Sequence, residues 1–369
     1  MNRSERIQAA EMVEELESVD DLADLEREVN GKPAESPLLA EPGPRSLVQS
    51  FEKTRQPLAL IDGGQSFVYA NPSFRSFLKR FAYPEASSFF KTFNSAFEAE
   101  QRRDLIAALG DPGRGFEWKG TISHKNIFRK EAQTMITKVH ILPHWREREA
   151  RGRPGAYIVY LDDVTEEYKG FLRDNLDSLL RASLKKDRDT GTHVQRVNLY
   201  SRRLAEELYR DPRWPQVDAD FIEEIGFLAA MHDVGKIGTP DDILNKQGPL
   251  DEFEWKVMKE HTINGAFILS SYPQRMAKEI ALSHHEWWNG SGYPYKLEGG
   301  QIPLAARIVT LADVYDALRM TRSYKTPYPH DVAMRKMGDE RGVHFDPELF
   351  EIFLAIAGDF EGIYAKNAD

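Results

Sequence analysis

Five of the ten histidines fall between His193 and His285. They read as His193, the pair His232-Asp233, His261 and the pair His284-His285, with Asp313 further on. Neutral imidazoles and carboxylates are the ligand set for borderline and hard first-row metals. A carboxylate standing between imidazole-rich sets can bridge two ions, as a two-metal hydrolase requires. The pattern predicts a metal-dependent phosphohydrolase. A lone histidine on an apolar helix is ordinarily a satisfied core residue. Two adjacent polar pairs in apolar surroundings are different, because burying them without partners is costly and ions are strong partners.

The chain must supply elements that hold these residues. At 369 residues it is long enough for two domains and a linker. Residues 1–45 are a charged tail followed by the Pro- and Gly-rich stretch GKPAESPLLAEPGPR. Residues 46–165 read as mixed α/β. LALID and SFVYAN flank the turn Gly63-Gly64, and strands are expected at 116–122, 134–142 and 155–161. Asn71 is placed to cap a helix that opens at Pro72. Residues 166–186 form a continuous helical stretch. Leu172, Leu176, Leu179 and Ser183 recur there at coiled-coil-like spacing, which suits a homodimer seam or packing within one chain. From 187 to 369 the pattern is helical throughout. Val197, Tyr200, Leu204 and Leu208 make one stripe, Phe221, Ile225, Leu228 and His232 share another face, and Ile302 to Arg319 is a third strong helix.

Composition excludes several classes. The net charge of −10 disfavours a nucleic-acid polymer as partner. No apolar run approaches the roughly 20 residues of a membrane span. The first residues, MNRSERIQAAEMVEELES, lack an apolar signal core, so the cytoplasm is the expected location. With no cysteine there is no thiol catalysis, Cys-ligated zinc or flavin–thiol adduct.

Two resemblances add to this reading. DGGQSFVYANPSF and the exit DDVTEE, with the strand pattern around them, resemble a PAS sensor domain. Its ligand is unreadable, although His124, His140 and His144 lie within it. Residues 187–358 resemble an HD-GYP domain, a branch of the HD phosphohydrolase superfamily. The matching phrases are DTGTHVQRV, HDVGKIGTPDDILNK, MKEHT, HHEWWNGSGYP, LADVYDAL, RSYK and HFDPEL. The implied architecture is an α+β PAS-like domain joined by a signalling helix to an all-α HD-superfamily domain.

The implied activity is hydrolysis of cyclic di-GMP, or a related 3′,3′-cyclic dinucleotide such as cyclic GMP–AMP, under control of the sensor. A non-catalytic dinucleotide receptor is the alternative. The resemblance implies two divalent ions, iron or manganese, with a third as an option. Its ligand set falls on His193, His232, Asp233, His261, His284, His285 and Asp313. Two such ions roughly 3.5–4 Å apart would generate a bridging hydroxide. Asp189 stands where many members carry a glutamate ligand, and its side chain is one methylene shorter. Lys236, Tyr293, Arg322 and Lys325 match substrate-contacting positions, Lys236 at the scissile phosphate. Asp316, one turn after Asp313, is expected to orient ligands. His232 and Asp233 are expected on a helix, pointing about 100° apart.

Overall fold

A computed structural model describes residues 48–367 apart from 82, 84–87, 94–95, 111–116, 126–130, 132, 145–153, 155, 187–190 and 321–325. The charged tail and linker, Asp189, Arg322 and Lys325 therefore lie outside the described residues. The chain divides into two compact units. Among the described residues, one lies within 48–124 and 136–164, the other within 125–135 and 165–367.

The first unit is built on five strands: β1 (Leu58–Asp62), β2 (Phe67–Ala70), β3 (Trp118–His124), β4 (Met135–His144) and β5 (Ala156–Asp163). Their order across the sheet is β2-β1-β5-β4-β3. β1 pairs antiparallel with both β2 and β5, in the registers Ala59–Ala70 and Ala59–Val159. Along β3, buried and exposed residues alternate strictly. That is the period-two pattern of a sheet with one covered face. The cover comes from α1 (Pro72–Arg80), α2 (Phe89–Phe93) and α3 (Ala99–Gly110). The Asn71 side chain accepts from Phe74 N and so caps α1. Phe74, Phe89 and Phe93 are fully buried, and their rings meet edge-on or tilted.

Of the three histidines here, His124 has both ring nitrogens engaged. One meets Tyr83 Oη at 2.7 Å and the other Thr137 Oγ1 at 2.6 Å. Burial pulls its pKa down to about 4. The neutral ring is held as a structural hydrogen-bonding group. His140 stacks on Tyr160 at 4.2 Å.

The second unit is helical. Its elements are α4 (Thr165–Leu184), α5 (Gly191–Arg210), α6 (Ala219–Leu228), α7 (Asp241–Leu244), α8 (Glu252–Lys259), α9 (His261–Ile268), α10 (Arg275–Ser283), α11 (Leu304–Arg319), α12 (His330–Gly338), α13 (Pro347–Ala355) and α14 (Ala357–Lys366). Val197, Tyr200, Leu204 and Leu208 of α5 are all fully buried. Around them α11, α13 and α14 close one continuous core. No helix among the described residues is long and apolar enough to cross a membrane.

The C-terminal part of the leucine stripe of α4 faces this same core. Leu176 belongs to it and Leu179, Leu180 and Leu184 pack against it, while Leu172 is buried as well. Polar contacts hold the helix at both ends. Lys169 and Arg173 pair with Glu223 of α6, and Lys186 Nζ donates to Ile237 O at 2.8 Å. The stripe is therefore used within one chain.

Candidate metal centre

His193 lies in the first turn of α5, facing Asp313 and Asp316 on α11. His261 opens α9, His284 caps the C-terminus of α10 and His285 follows it. His232 and Asp233 do not sit on an α-helix as their sequence suggests. α6 ends at Leu228, and the chain runs on through two 3₁₀ turns, Ala229–Met231 and Val234–Gly238. Asp233 stands between the turns at φ −101°, ψ 6°. This lets both side chains face one centre.

Close packing fixes that path. A Cβ on Gly235 would lie 1.9 Å from His261 O and 2.3 Å from Gly265 N. Only a glycine permits the two backbones to meet there.

The side chains form two sets around one carboxylate. His193, His232 and Asp313 make one; Asp233, His261, His284 and His285 make the other. Within each set the donor atoms lie within 4.8 Å of one another. Asp233 reaches both. Its Oδ2 is 3.3 Å from His232 Nε2, while its Oδ1 is 3.3 Å from His261 Nε2 and 3.8 Å from His284 Nε2. On the other side, His193 Nε2 is 3.6 Å from Asp313 Oδ1.

Four of the five rings are turned by their other nitrogen. His232 Nδ1 donates to Ala229 O at 2.8 Å, and His261 Nδ1 to Met258 O at 2.8 Å. His284 Nδ1 donates to Ile280 O at 3.1 Å. His193 Nδ1 is 2.8 Å from Asp316 Oδ2. A ring held this way through Nδ1 turns its Nε2 to the centre, where the neutral form offers a lone pair.

Two buried atoms at this centre have no hydrogen-bond partner: His232 Nε2 and Asp233 Oδ1. Orphaned buried polar atoms are costly, and a divalent cation satisfies an imidazole nitrogen and a carboxylate oxygen together. Burial lowers His284 well below its ordinary value, and the neighbouring imidazoles lower it further. Burial also takes His285 down to about 3. Neutral imidazole is the form that binds metal. The residues fit divalent metal.

Other expected residues fall into place around the centre. Lys236 Nζ lies 2.8 Å from Asp233 Oδ2. Tyr293 stacks on His285 with ring centroids 4.7 Å apart. Burial raises its phenol above the ordinary value, and Asp233 and Asp313 raise it further, so it stays protonated. Trp287 stacks on His344 at 4.3 Å. His330 bonds Tyr315 Oη through Nδ1, and His344 bonds Glu340; both stand apart from the metal sets.

Two contributors escaped the sequence reading. Arg196 is completely buried and grips Asp316 through Nε at 2.7 Å and Nη2 at 3.0 Å. It thereby fixes the carboxylate that turns His193. An arginine inside an apolar helical stripe was the available signal. Glu286, also buried, accepts from Tyr295 N at 2.7 Å and Leu297 N at 3.0 Å. It folds the loop back over His285. The loop's approach also requires Gly292, where a Cβ would meet Trp287 N at 2.3 Å.

Residues 183–349 match the HD domain family. The HD domain match takes in both ligand sets and the loop over His285. Curated relatives extend it. A 3′3′-cGAMP-specific phosphodiesterase 2 of Vibrio cholerae serotype O1 is 43% identical over 195 residues, 52% of this chain and 36% of its own. A cyclic di-GMP phosphodiesterase of Thermotoga maritima is 40% identical over 211 residues, 56% of this chain and 55% of its own. The chain thus spans roughly a third to a half of these relatives. Among solved structures, a cyclic GMP-AMP-specific phosphodiesterase of V. cholerae aligns over 54% of this chain and 51% of its own at 18% identity, TM-score 0.39. A PAS domain of an HTR-like protein from Haloarcula marismortui aligns over 32% and 89% at 18% identity, TM-score 0.23.

Proposed function

We propose that this chain is an HD-GYP-type phosphodiesterase that hydrolyses cyclic di-GMP or a related 3′,3′-cyclic dinucleotide in a metal-dependent reaction. The observation that carries the proposal is Asp233, one carboxylate set between two imidazole sets. His193, His232 and Asp313 would hold one ion; His261, His284 and His285 would hold the other, with Asp233 shared. Iron or manganese suits this donor set, and Asp189 is the candidate for a third. Bound ions supply Lewis acidity and a lowered pKa for water.

The chain's own groups do the rest. Asp316 and Arg196 keep the His193 lone pair aimed at the centre. Lys236, already beside Asp233, supplies the ammonium that meets the scissile phosphate as its charge grows. The protonated Tyr293 donates to a phosphate oxygen. Arg322 offers a bidentate fork to phosphate and Lys325 a point charge. The relatives, named as phosphodiesterases of cyclic di-GMP and 3′3′-cGAMP, support both substrate candidates.

The test is anaerobic purification with metal quantification, followed by product analysis on both dinucleotides. Turnover by the metal-loaded protein, abolished by chelation and restored by iron or manganese, is the expected result. Binding without turnover would overturn the enzyme reading in favour of a receptor.

The PAS-like unit is proposed to regulate this site through α4. Leu180, Ser183 and Leu184 of that helix line a small cleft with Val194, His232 and Val234. Any homodimer through α4 would use its other face, where Phe171 is exposed, because Leu172, Leu176 and Ser183 of the stripe are already buried. Two alanines inserted after Leu180 rotate the following residues by about 200°. Turnover should fall at least severalfold in a steady-state assay; unchanged turnover would remove α4 from the regulatory path.

A further inference from the structure

A cyclic dinucleotide carries two phosphodiesters, and the metal centre can act on only one at a time. The second phosphate is an anion that a binding site must meet with positive charge elsewhere. Among the nearby lysines, Lys236 is committed to Asp233 at 2.8 Å. Lys259 is differently placed. It is exposed, in the last turn of α8, two residues before His261. It has no ion-pair partner among the described residues. Its Nζ sits 5.2 Å from the centroid of the Tyr293 ring. That ring in turn stacks on His285 at 4.7 Å.

We propose that Lys259 is a substrate-binding residue that takes the non-scissile phosphate of the cyclic dinucleotide. The ring face is a seat for the ammonium. A cation–π contact at an exposed site is worth only about 0.5–1 kcal/mol and neutralises no charge. A charge-assisted bond to phosphate is stronger, so the incoming anion wins the contact. Tyr293 would then work on both sides. The ring stacks on the His285 imidazole, and it also positions the cation for the second phosphate. The α8 helix has no buried residue, so the lysine is carried on a surface element beside the site.

This inference rests on the function proposed above. The test compares Lys259→Met and Lys259→Arg with the wild type, all metal-loaded. Cyclic di-GMP carries two phosphodiesters, and bis(4-nitrophenyl) phosphate carries one. For Lys259→Met, KM for cyclic di-GMP should rise roughly tenfold or more, the worth of one charged hydrogen bond. The rise should be absent with the one-phosphate ester, and Lys259→Arg should recover most of the affinity. An unchanged KM for cyclic di-GMP, or an equal loss on both substrates, overturns the assignment. If the wild type turns over neither substrate, the enzymatic reading fails separately. Calorimetric binding of cyclic di-GMP then decides for Lys259: a roughly tenfold weaker Kd in Lys259→Met supports it. Equal affinity, or no binding by the wild type, overturns it.

Discussion

Asp233→Asn is expected to lower turnover of cyclic di-GMP about a thousandfold or more, the equivalent of about 4 kcal/mol of transition-state stabilisation. The amide keeps the carboxylate's shape and removes its charge. Among the described residues, Asp233 is the one side chain with an oxygen toward each imidazole set. Its loss should cost metal at both positions, so elemental analysis should show fewer than half the wild-type ions per chain. It also leaves Lys236 without the anion 2.8 Å away. Wild-type metal content together with wild-type turnover would refute Asp233 as the shared ligand. Normal metal content with lost turnover would instead assign it a purely chemical role.

Arg196→Met should be the most destabilising single change around the centre. It leaves Asp316, itself fully buried, as an uncompensated charge. Breaking a buried pair in this way costs about 3–5 kcal/mol. For a unit of this size that is a fall of about 6–20 °C in Tm. The arginine also donates to Asn367 O at 2.9 Å and lies over Tyr364, so the end of α14 should loosen with it. Thermal unfolding in the presence of chelator isolates the effect from metal binding. The pair Arg196→Met with Asp316→Leu removes both charges and should regain most of the stability. It should not regain activity, because His193 then lacks its orienting acceptor. A single variant that melts within about 1 °C of wild type would contradict the argument.

Much of this could be read from the chain. The stripe Val197, Tyr200, Leu204, Leu208 declares a buried helix by its period, and all four residues are buried. That His193, His232, Asp233, His261, His284, His285 and Asp313 gather in space was legible because paired polar residues inside apolar stretches need partners. The cap at Asn71 was legible because one side chain and the following proline suffice to specify it. The departure from α-helix at His232-Asp233 was not. The stretch FIEEIGFLAAMHD keeps a helical apolar rhythm to its end. What breaks it is the backbone of α9, some thirty residues away, against Gly235. Glu286 was equally silent, since its partners are two main-chain N–H groups nine and eleven residues along, which any residue type supplies. The α4 leucines showed that the helix has a seam but not whose surface fills it; the answer is the chain's own core.

The meeting of Gly235 with α9 also governs how this centre can diversify. Any side chain at Gly235 collides with main-chain atoms of His261 and Gly265, which no rotamer change can clear. Gly265 is pressed in turn by Ala281, whose Cβ would lie 3.1 Å from an added methyl. The segments bearing Asp233, His261 and His284 are thus keyed to one another through positions that hold no ligand at all. In a saturation library these glycines would behave like the histidines they separate. Descendants of this sequence are free to retune the rim of the site one substitution at a time, while the spacing between its two ligand sets is inherited as a single block.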